Sequence, residues 1–472
     1  MLPHNSPSNS AWNPSRRRFL KTTGAATAGA MLVSARVLGR GGEKAPSARP
    51  VVAGVGVGGV GFSQLQDLEK AGFQVSALCD VDDLFAKKAF DRWPHAARYR
   101  DYREMLSAQA DKIDVVHVAT PDHTHALITL AALRRKKHVC CVKPLTRTIH
   151  EGRVVLAAAE KAGVATQMTA APYTTEEPRR LNELLDAGVI GAVREVHIWT
   201  NRPVWPQGMV RPAGEDLVPP TFDWKMWLGP APMRPFKKDW SKDAYPIAQL
   251  KASMDWVQQY HGVYHPFNFR GWWDFGTGAL GDMGCHHFNP AVRALKLGPP
   301  SMIEASTTKV TAEATPLSSM VTYDFAARGS LPAVRLVWYD GGLHPSRPVE
   351  LAEALPEEGA LYLGDQGWLL YAGREPKFSS PKLASRAKEV PVSLPRRSGT
   401  WGEFFDACSG GERAGCEFRW AVPLTELVLL GNIAVRTGER LVWDSVGMKF
   451  SSNEVADGYL KPEYHNGWSL DG

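Results

Sequence analysis

With 472 residues the chain is too long for one ordinary hydrophobic core and suits two domains. A hydrophobic share of 44% against 22% charged residues excludes a disordered chain. The net charge of +6 is scattered, with no basic stripe interleaved with aromatics, which argues against nucleic acid as a partner.

The N-terminus reads as an address rather than a fold. Ser15-Arg16-Arg17-Arg18-Phe19-Leu20-Lys21 precedes a weakly apolar stretch, Thr22 to Val33, and Val33-Ser34-Ala35 offers small residues to a signal peptidase. The paired arginines followed by Phe-Leu-Lys resemble a twin-arginine signal. That resemblance implies export of an already folded protein to the periplasm or beyond. The apolar run is too short to span a bilayer comfortably, so no membrane partner beyond export is expected. Residues 1–40 are assigned to this signal and a linker. Export to a compartment without free cofactor pools favours tight retention of any cofactor the chain binds.

Residues 50–57 form a run of small and β-branched residues, the pattern of a buried strand. Gly56, Gly58 and Gly61 follow as G-x-G-x-x-G, and a helix is predicted from Val60 to Ala71. Strand before and helix after turn a weak motif into a dinucleotide fingerprint. Gly56 permits the tight turn, Gly58 a close backbone approach to pyrophosphate, and Gly61 close helix–strand packing. The loop from Gly56 through Val57, Gly58, Gly59 and Val60 to Gly61 is the candidate phosphate cradle. A second strand, Gln74 to Cys79, ends in Asp80, placed to bind the adenosine ribose. A carboxylate there favours NAD, with NADP possible, and Asp82 or Asp83 can share the role.

Strand–helix alternation continues: helix from Asp101 to Ala108, strand from Ile113 to Ala119, helix from His125 to Arg135, strand from His138 to Val142, helix from Glu151 to Ala162, strand from Val164 to Met168. This alternation predicts a doubly wound parallel sheet over residues 48–172, a Rossmann domain. Ligands in such sheets sit beyond the strand carboxyl ends. There lie Thr120-Pro121-Asp122-His123-Thr124-His125, with Thr120, Pro121 and His125 as candidate cofactor contacts, and Cys141-Val142-Lys143-Pro144, whose Lys143 is a candidate for both cofactor and catalysis.

From Glu177 a helix to Ala187 and a strand from Val193 to Thr200 open a second domain, residues 173–450, with 451–472 as a tail. A Pro- and Trp-rich insertion, residues 201–277, follows and runs into Gly278-Ala279-Leu280-Gly281-Asp282-Met283-Gly284-Cys285-His286. Asp282 and His286 at i and i+4 share one helix face. An imidazole with its ordinary pKa near 6.5 suits a hydroxyl proton acceptor, with His287 as a competitor. Aromatic faces stack on sugar C–H faces. Arg270, Trp272 and Trp273 are therefore candidate substrate contacts, the alternative being a satellite aromatic core. Segments Ser301–Val310, Ser319–Phe325 and Ala333–Tyr339 alternate like strands, and a closing helix is expected over Pro423–Thr437. None of the six cysteines makes a CxxC pair, and no metal site is expected. Cys408 and Cys416, eight apart around a Gly-Gly turn, are spaced to form a disulfide.

The glycine loop, the Thr120–His125 segment, Cys141-Val142-Lys143-Pro144 and Asp282-Met283-Gly284-Cys285-His286, in this order, resemble the glucose-fructose oxidoreductase / inositol dehydrogenase / rhizopine-catabolism (Gfo/Idh/MocA) family over roughly residues 50–450. The resemblance implies an α+β second domain built on a mostly antiparallel open sheet, often used to form homo-oligomers. It also implies an oxidoreductase acting on a hydroxyl of a sugar, glycoside or cyclitol. By the same resemblance Lys143 contacts the substrate oxygen, His286 is the acid/base and Asp282 positions the pair. Two departures stand out: Val142 replaces the family's Glu before Lys-Pro, and Thr169-Ala170-Ala171-Pro172-Tyr173 replaces its Gly-Asn-Gln. A redox-neutral hydrolase or epimerase using transient oxidation, or a non-catalytic sugar binder, are the alternatives.

Overall fold

The computed structural model describes residues 49–169 and 175–471; the signal segment and the Ala170–Tyr173 departure lie outside the described residues. Residues 50–472 form one compact unit.

In the first sheet β1 (Val51–Val55) is followed by β2 (Gln74–Cys79), β3 (Ala97–Tyr99), β4 (Val115–Val118), β5 (His138–Val142) and β6 (Thr166–Thr169). The order is β3-β2-β1-β4-β5-β6 and each described pairing is parallel. The helices between them are α1 (Gly59–Lys70), α2 (Lys87–Arg92), α3 (Tyr102–Ala108), α4 (His125–Arg134) and α5 (Ile149–Ala162). The doubly wound sheet is thus the one the alternation predicts. Its order reverses between β1 and β4, which opens a crevice at their carboxyl ends. The Thr148/Glu151 capping box and Gly163, in the left-handed region, fix the ends of α5. The short elements α2 and β3 carry no period long enough to read from sequence.

The second sheet holds β7 (Val193–Trp199), β8 (Met302–Thr307), β9 (Ser319–Phe325), β10 (Val334–Tyr339), β11 (Gly359–Gly364), β12 (Gly367–Tyr371), β13 (Lys377–Phe378), β14 (Leu441–Asp444) and β15 (Lys449–Phe450). They run in the order β13-β12-β11-β7-β10-β9-β8-β14-β15. The β7–β10 pair is parallel and the others are antiparallel. The remaining helices are α6 (Glu176–Asp186), α7 (Trp224–Leu228), α8 (Tyr245–Lys251), α9 (Gly278–Ala294), α10 (Pro381–Glu389), α11 (Gly399–Cys408), α12 (Phe418–Thr437) and α13 (Glu454–Gly458). Pro423 lies inside α12 rather than at its start. The helix begins a turn and a half earlier and forgoes only the hydrogen bond that Pro423 cannot donate.

The core crosses between the two sheets. Helix α12 is buried over most of its length and packs on α5, α9 and β8. Side chains α9 would otherwise meet are absent at Gly284 and Gly431: a Cβ on Gly284 would lie 2.6 Å from Val428, and one on Gly431 would run into Tyr323. Late residues also return to the first sheet. Phe404 of α11 stacks on Phe73 (centroids 5.7 Å), Trp468 stacks on Tyr102 (6.2 Å), and the Tyr464 hydroxyl donates to Glu151 (2.5 Å). Residues 451–471 are thus packed onto the first domain.

All six cysteines are free thiols, which corrects the expected Cys408–Cys416 disulfide. Cys408 packs in the aromatic cluster under β1 and β2, whereas Cys416 is buried in the core around α12.

Candidate active site

The glycine loop is built by exclusion of side chains. Gly56 has φ +75°, and a Cβ there would lie 2.6 Å from the Ala119 carbonyl oxygen. A Cβ on Gly61 would strike the Gly56 carbonyl, and one on Gly58 the Phe85 ring. Asp80, at the end of β2, anchors the loop. Its Oδ2 accepts from the Val57 and Gly58 amides (2.8 and 3.2 Å) and its Oδ1 from the Asp82 amide (3.0 Å). Burial raises the Asp80 pKa, with these amides and His265 opposing.

One cavity of about 760 Å³ runs from this loop to α9. Gly56, Gly58, Gly59, Val60, Asp80, Thr120, Pro121 and Lys143 line it, as the sequence predicts. Val57, Gly61 and His125 are not among the residues that line it. Val57 is buried beneath the loop, and Gly61 packs on Gly56. The His125 ring nitrogens lie 2.8 Å from the Pro144 and Thr120 carbonyl oxygens. Two acceptors require two N–H donors, so His125 is the imidazolium. Burial works against this charge, but Cys141, Asp122 and the Pro144 carbonyl outweigh it and raise the pKa to about 9. Its role is to tie the β4 and β5 ends together.

At the far end the helix spacing brings Asp282 and His286 to the cavity wall, facing Lys143 from β5. Lys143 Nζ donates to Asp282 Oδ1 (2.6 Å), and Arg270 Nε donates to the same oxygen (3.0 Å). Burial tends to raise the Asp282 pKa, yet Lys143 and Arg270 hold it well below the carboxylate range. Asp282 is thus the carboxylate paired with Lys143. Burial, aided by Lys143, lowers the His286 pKa to about 3. This revises the near-neutral titration expected of it: the imidazole is uncharged at pH 7. His287 points instead toward Glu358 (3.5 Å).

The insertion is an aromatic cluster rather than a loop; Trp272 joins that cluster and Trp273 the main core. Trp272 is fully buried, stacks on Trp240 (centroids 6.1 Å, 8°) and donates to the Val263 carbonyl (2.9 Å). Trp273 donates to the Thr311 carbonyl (3.3 Å) beneath Arg436. Neither lines the cavity. Arg270 does line it, with its guanidinium over Phe267 and Phe269 (4.7 and 4.6 Å) and beside Trp205 (5.7 Å). Trp205, Trp256, Tyr260, Phe267 and Phe269 form the aromatic wall that the sequence reading gave to other rings. It also passed over Asp122, although the residue stands in the segment after β4. Asp122 lines the cavity and accepts from the Thr277 hydroxyl (2.7 Å). Among the described residues no cluster suited to a metal ion occurs.

Comparison with known proteins agrees with this geometry. Residues 51–170 match the model of an oxidoreductase family with an NAD-binding Rossmann fold. Residues 254–331 match that family's C-terminal α/β domain, and residues 13–33 a twin-arginine translocation signal. An inositol 2-dehydrogenase of Salmonella typhimurium is 31% identical over 150 residues, 30% of this chain and 43% of that protein. A glycosyl hydrolase family 109 protein of Shewanella baltica is 31% identical over 207 residues, 38% of this chain and 44% of that protein. The chain thus spans less than half the length of these curated relatives. Among solved structures, the WlbA dehydrogenase of Bordetella pertussis, in complex with NADH and UDP-GlcNAcA, aligns with TM-score 0.58 at 14% identity, covering 84% of this chain and 99% of that one. The aldose-aldose oxidoreductase of Caulobacter crescentus aligns with TM-score 0.52 at 14% identity, covering 84% and 100%. At such identity these two matches speak to the fold.

Proposed function

Because the chain belongs to the Gfo/Idh/MocA family of NAD-binding oxidoreductases, we propose that it oxidises a hydroxyl of a sugar, glycoside or cyclitol with a retained NAD(P), outside the cytoplasm. The observation that carries this reading is the single cavity joining the glycine loop to Lys143, Asp282 and His286. The cradle fits a dinucleotide: side chains are excluded at Gly56, Gly58 and Gly61, and the α1 N-terminus follows at once. Gly56, Gly58, Gly59 and Val60 would hold the pyrophosphate, Asp80 the ribose, and Thr120 and Pro121 the nicotinamide side. When bound, the nicotinamide supplies a hydride acceptor.

The residues of the chain handle the proton. Lys143, fixed by Asp282, directs its remaining N–H bonds at the substrate oxygen and favours the developing alkoxide. Neutral His286 accepts the hydroxyl proton, and Asp282, one turn before it, favours the resulting imidazolium. Arg270 keeps Asp282 ionised throughout. A second reading, a redox-neutral cycle of transient oxidation and glycosidic cleavage, is favoured by the export signal, since exported protein meets no nicotinamide pool to reload it. The nine-stranded sheet is the surface on which a homo-oligomer would form.

The test begins with mature protein purified without added cofactor and denatured, its nucleotide identified by mass spectrometry. Stoichiometric NAD or NADP is expected, and an empty site would sink the retained-cofactor reading. The loaded protein is then given a panel of hexoses, glycosides and inositols. Reduced cofactor accumulating with a keto product supports net oxidation, whereas product without reduced cofactor supports the redox-neutral cycle. His286→Ala should lower turnover by about 10²–10⁴ with nucleotide content unchanged. Unchanged turnover would leave only a sugar binder.

A further inference from the structure

The substrate end of the cavity is unevenly charged. Lys143, Arg202 and Arg270 line it, against the carboxyl groups of Asp282 and Asp122. Asp282 is already shared, since Lys143 and Arg270 donate to the same Oδ1. Asp122, the other carboxyl group on this stretch, faces the Thr277 hydroxyl. Arg202 is held at one nitrogen by the neutral amide oxygen of Asn201. Glu358, whose pKa is lowered by His287 and in part by the Arg202 charge, lies outside the cavity lining and faces His287 and the Thr200 hydroxyl (3.5 and 3.4 Å). Arg270 spends Nε on Asp282 and Nη1 on the Phe267 carbonyl (3.0 Å), which leaves Nη2 toward the aromatic wall.

A guanidinium drawn partly out of water onto a wall of aromatic rings costs free energy until an anion meets it. The side chain of Arg270 is only 16% exposed. A neutral sugar offers hydroxyl dipoles and leaves the excess charge in place. A carboxylate that accepts from Arg270 Nη2 with one oxygen and from Arg202 with the other removes it. Trp205 and Phe267 stand beside Arg270 in an aromatic wall that Tyr260 and the exposed Trp256 continue, and the C–H face of a pyranose can lie against it. Resting on the sugar-oxidoreductase reading, we propose that the substrate is an acidic sugar, a uronic acid or its glycoside, whose carboxylate is held by Arg202 and Arg270 with its ring against this aromatic wall.

The test compares ligands that differ in charge alone. Loaded protein is titrated with D-glucuronate and D-glucuronamide, and with D-galacturonate and its amide, by tryptophan fluorescence and calorimetry. At least one acid should bind ~10-fold or more tighter than its amide, as a charge-assisted pair requires. In Arg202→Gln that ratio should fall toward unity. Amides binding as tightly as acids in the unaltered protein would overturn the acidic-sugar proposal and leave the sugar reading intact. Glucose 6-phosphate binding more tightly than either uronate would overturn the carboxylate assignment in favour of a phosphate. If neither charged nor neutral sugars bind protein whose nucleotide content has been verified, the sugar reading itself falls. The wild-type comparison needs no variant to fold, so a poorly expressed Arg202→Gln would not blunt the test.

Discussion

Adjacent residues at the end of the insertion show why a site can be half-legible. Trp272 and Trp273 follow Arg270 by two and three positions, so proximity in sequence groups all three. The backbone separates them. After the turn at Asn268–Gly271 the chain pairs with residues 313–314, through the bridge Trp272↔Ala314 and the bond from the Trp273 amide to Glu313. Neighbours in an extended segment point to opposite sides. Trp272 therefore enters the insertion's aromatic cluster and Trp273 the main core, and neither reaches the cavity. The consequence is a split between stability and binding. Trp272→Ala should cost about 3–5 kcal/mol, the usual range for a fully buried large aromatic. Trp205→Ala, on the cavity wall, should raise KM several-fold in addition to the stability it costs as a buried ring. Denaturant melts and kinetics on the two variants decide this, and a raised KM with an unchanged melt in Trp272→Ala would refute it.

Among elements, those with a strong local rule were legible and those made by long-range pairing were not. The β1–glycine loop–α1 unit follows from small residues, a turn that only glycine fits, and a helix period. The Asp282/His286 face follows from i, i+4 spacing. In contrast, β11 to β15 are short, several begin or end on glycine, and they exist because distant strands pair with them. The contact between the insertion and the β2 end is of this second kind. The Asp83 amide donates to the Thr221 carbonyl (2.9 Å) and the Asp223 amide to the Val81 carbonyl (2.8 Å). Across them His265 Nε2 lies 3.1 Å from Asp82 Oδ2, with its ring stacked on Phe222 (5.1 Å) and edge-on to Phe85 (5.0 Å). Phe85 in turn covers Gly58. The insertion is thereby stitched over the loop that would hold pyrophosphate and ribose. His265→Ala removes the charged hydrogen bond and the stacked ring, a loss of about 1.5–3 kcal/mol. Retained nucleotide should then be lost ~10-fold faster on gel filtration. Retention equal to that of the unaltered protein would show that the stitch does not hold the cofactor.

Across the whole molecule, the buried histidines tie the two domains to pH. His117 in β4 sits beside Gln64 (Nε2 to Oε1, 2.9 Å), and His123 beside the Trp227 carbonyl (3.1 Å). In each the other ring nitrogen is buried without a partner, so a second N–H would have nowhere to donate. Burial lowers both pKa values to about 3. Between the ordinary imidazole pKa and about 3 the unfolded chain takes up a proton that the folded one refuses. Folding stability from each therefore falls as pH drops through that window, by at most about 1.4 kcal/mol per pH unit. His125 has the opposite sign: held charged to about pH 9, it stabilises below the ordinary value and loses that contribution as pH rises through 9. Asp340, raised to about 6 by burial, opposes the histidines in mild acid, so a melt of the unaltered protein mixes several slopes. His123→Phe isolates one. Its ring already lies between Trp227 and Phe275 (centroids 5.8 and 5.2 Å), where a phenyl can pack, at the junction of the β4 end with the insertion. At pH 7.5 the variant should be less stable by about 1 kcal/mol for the lost bond to Trp227. Toward pH 5 that deficit should shrink and then reverse, because the variant no longer refuses a proton. Denaturant melts at half-unit pH steps measure the slope, and parallel curves for the two proteins would mean that His123 protonates in the folded state.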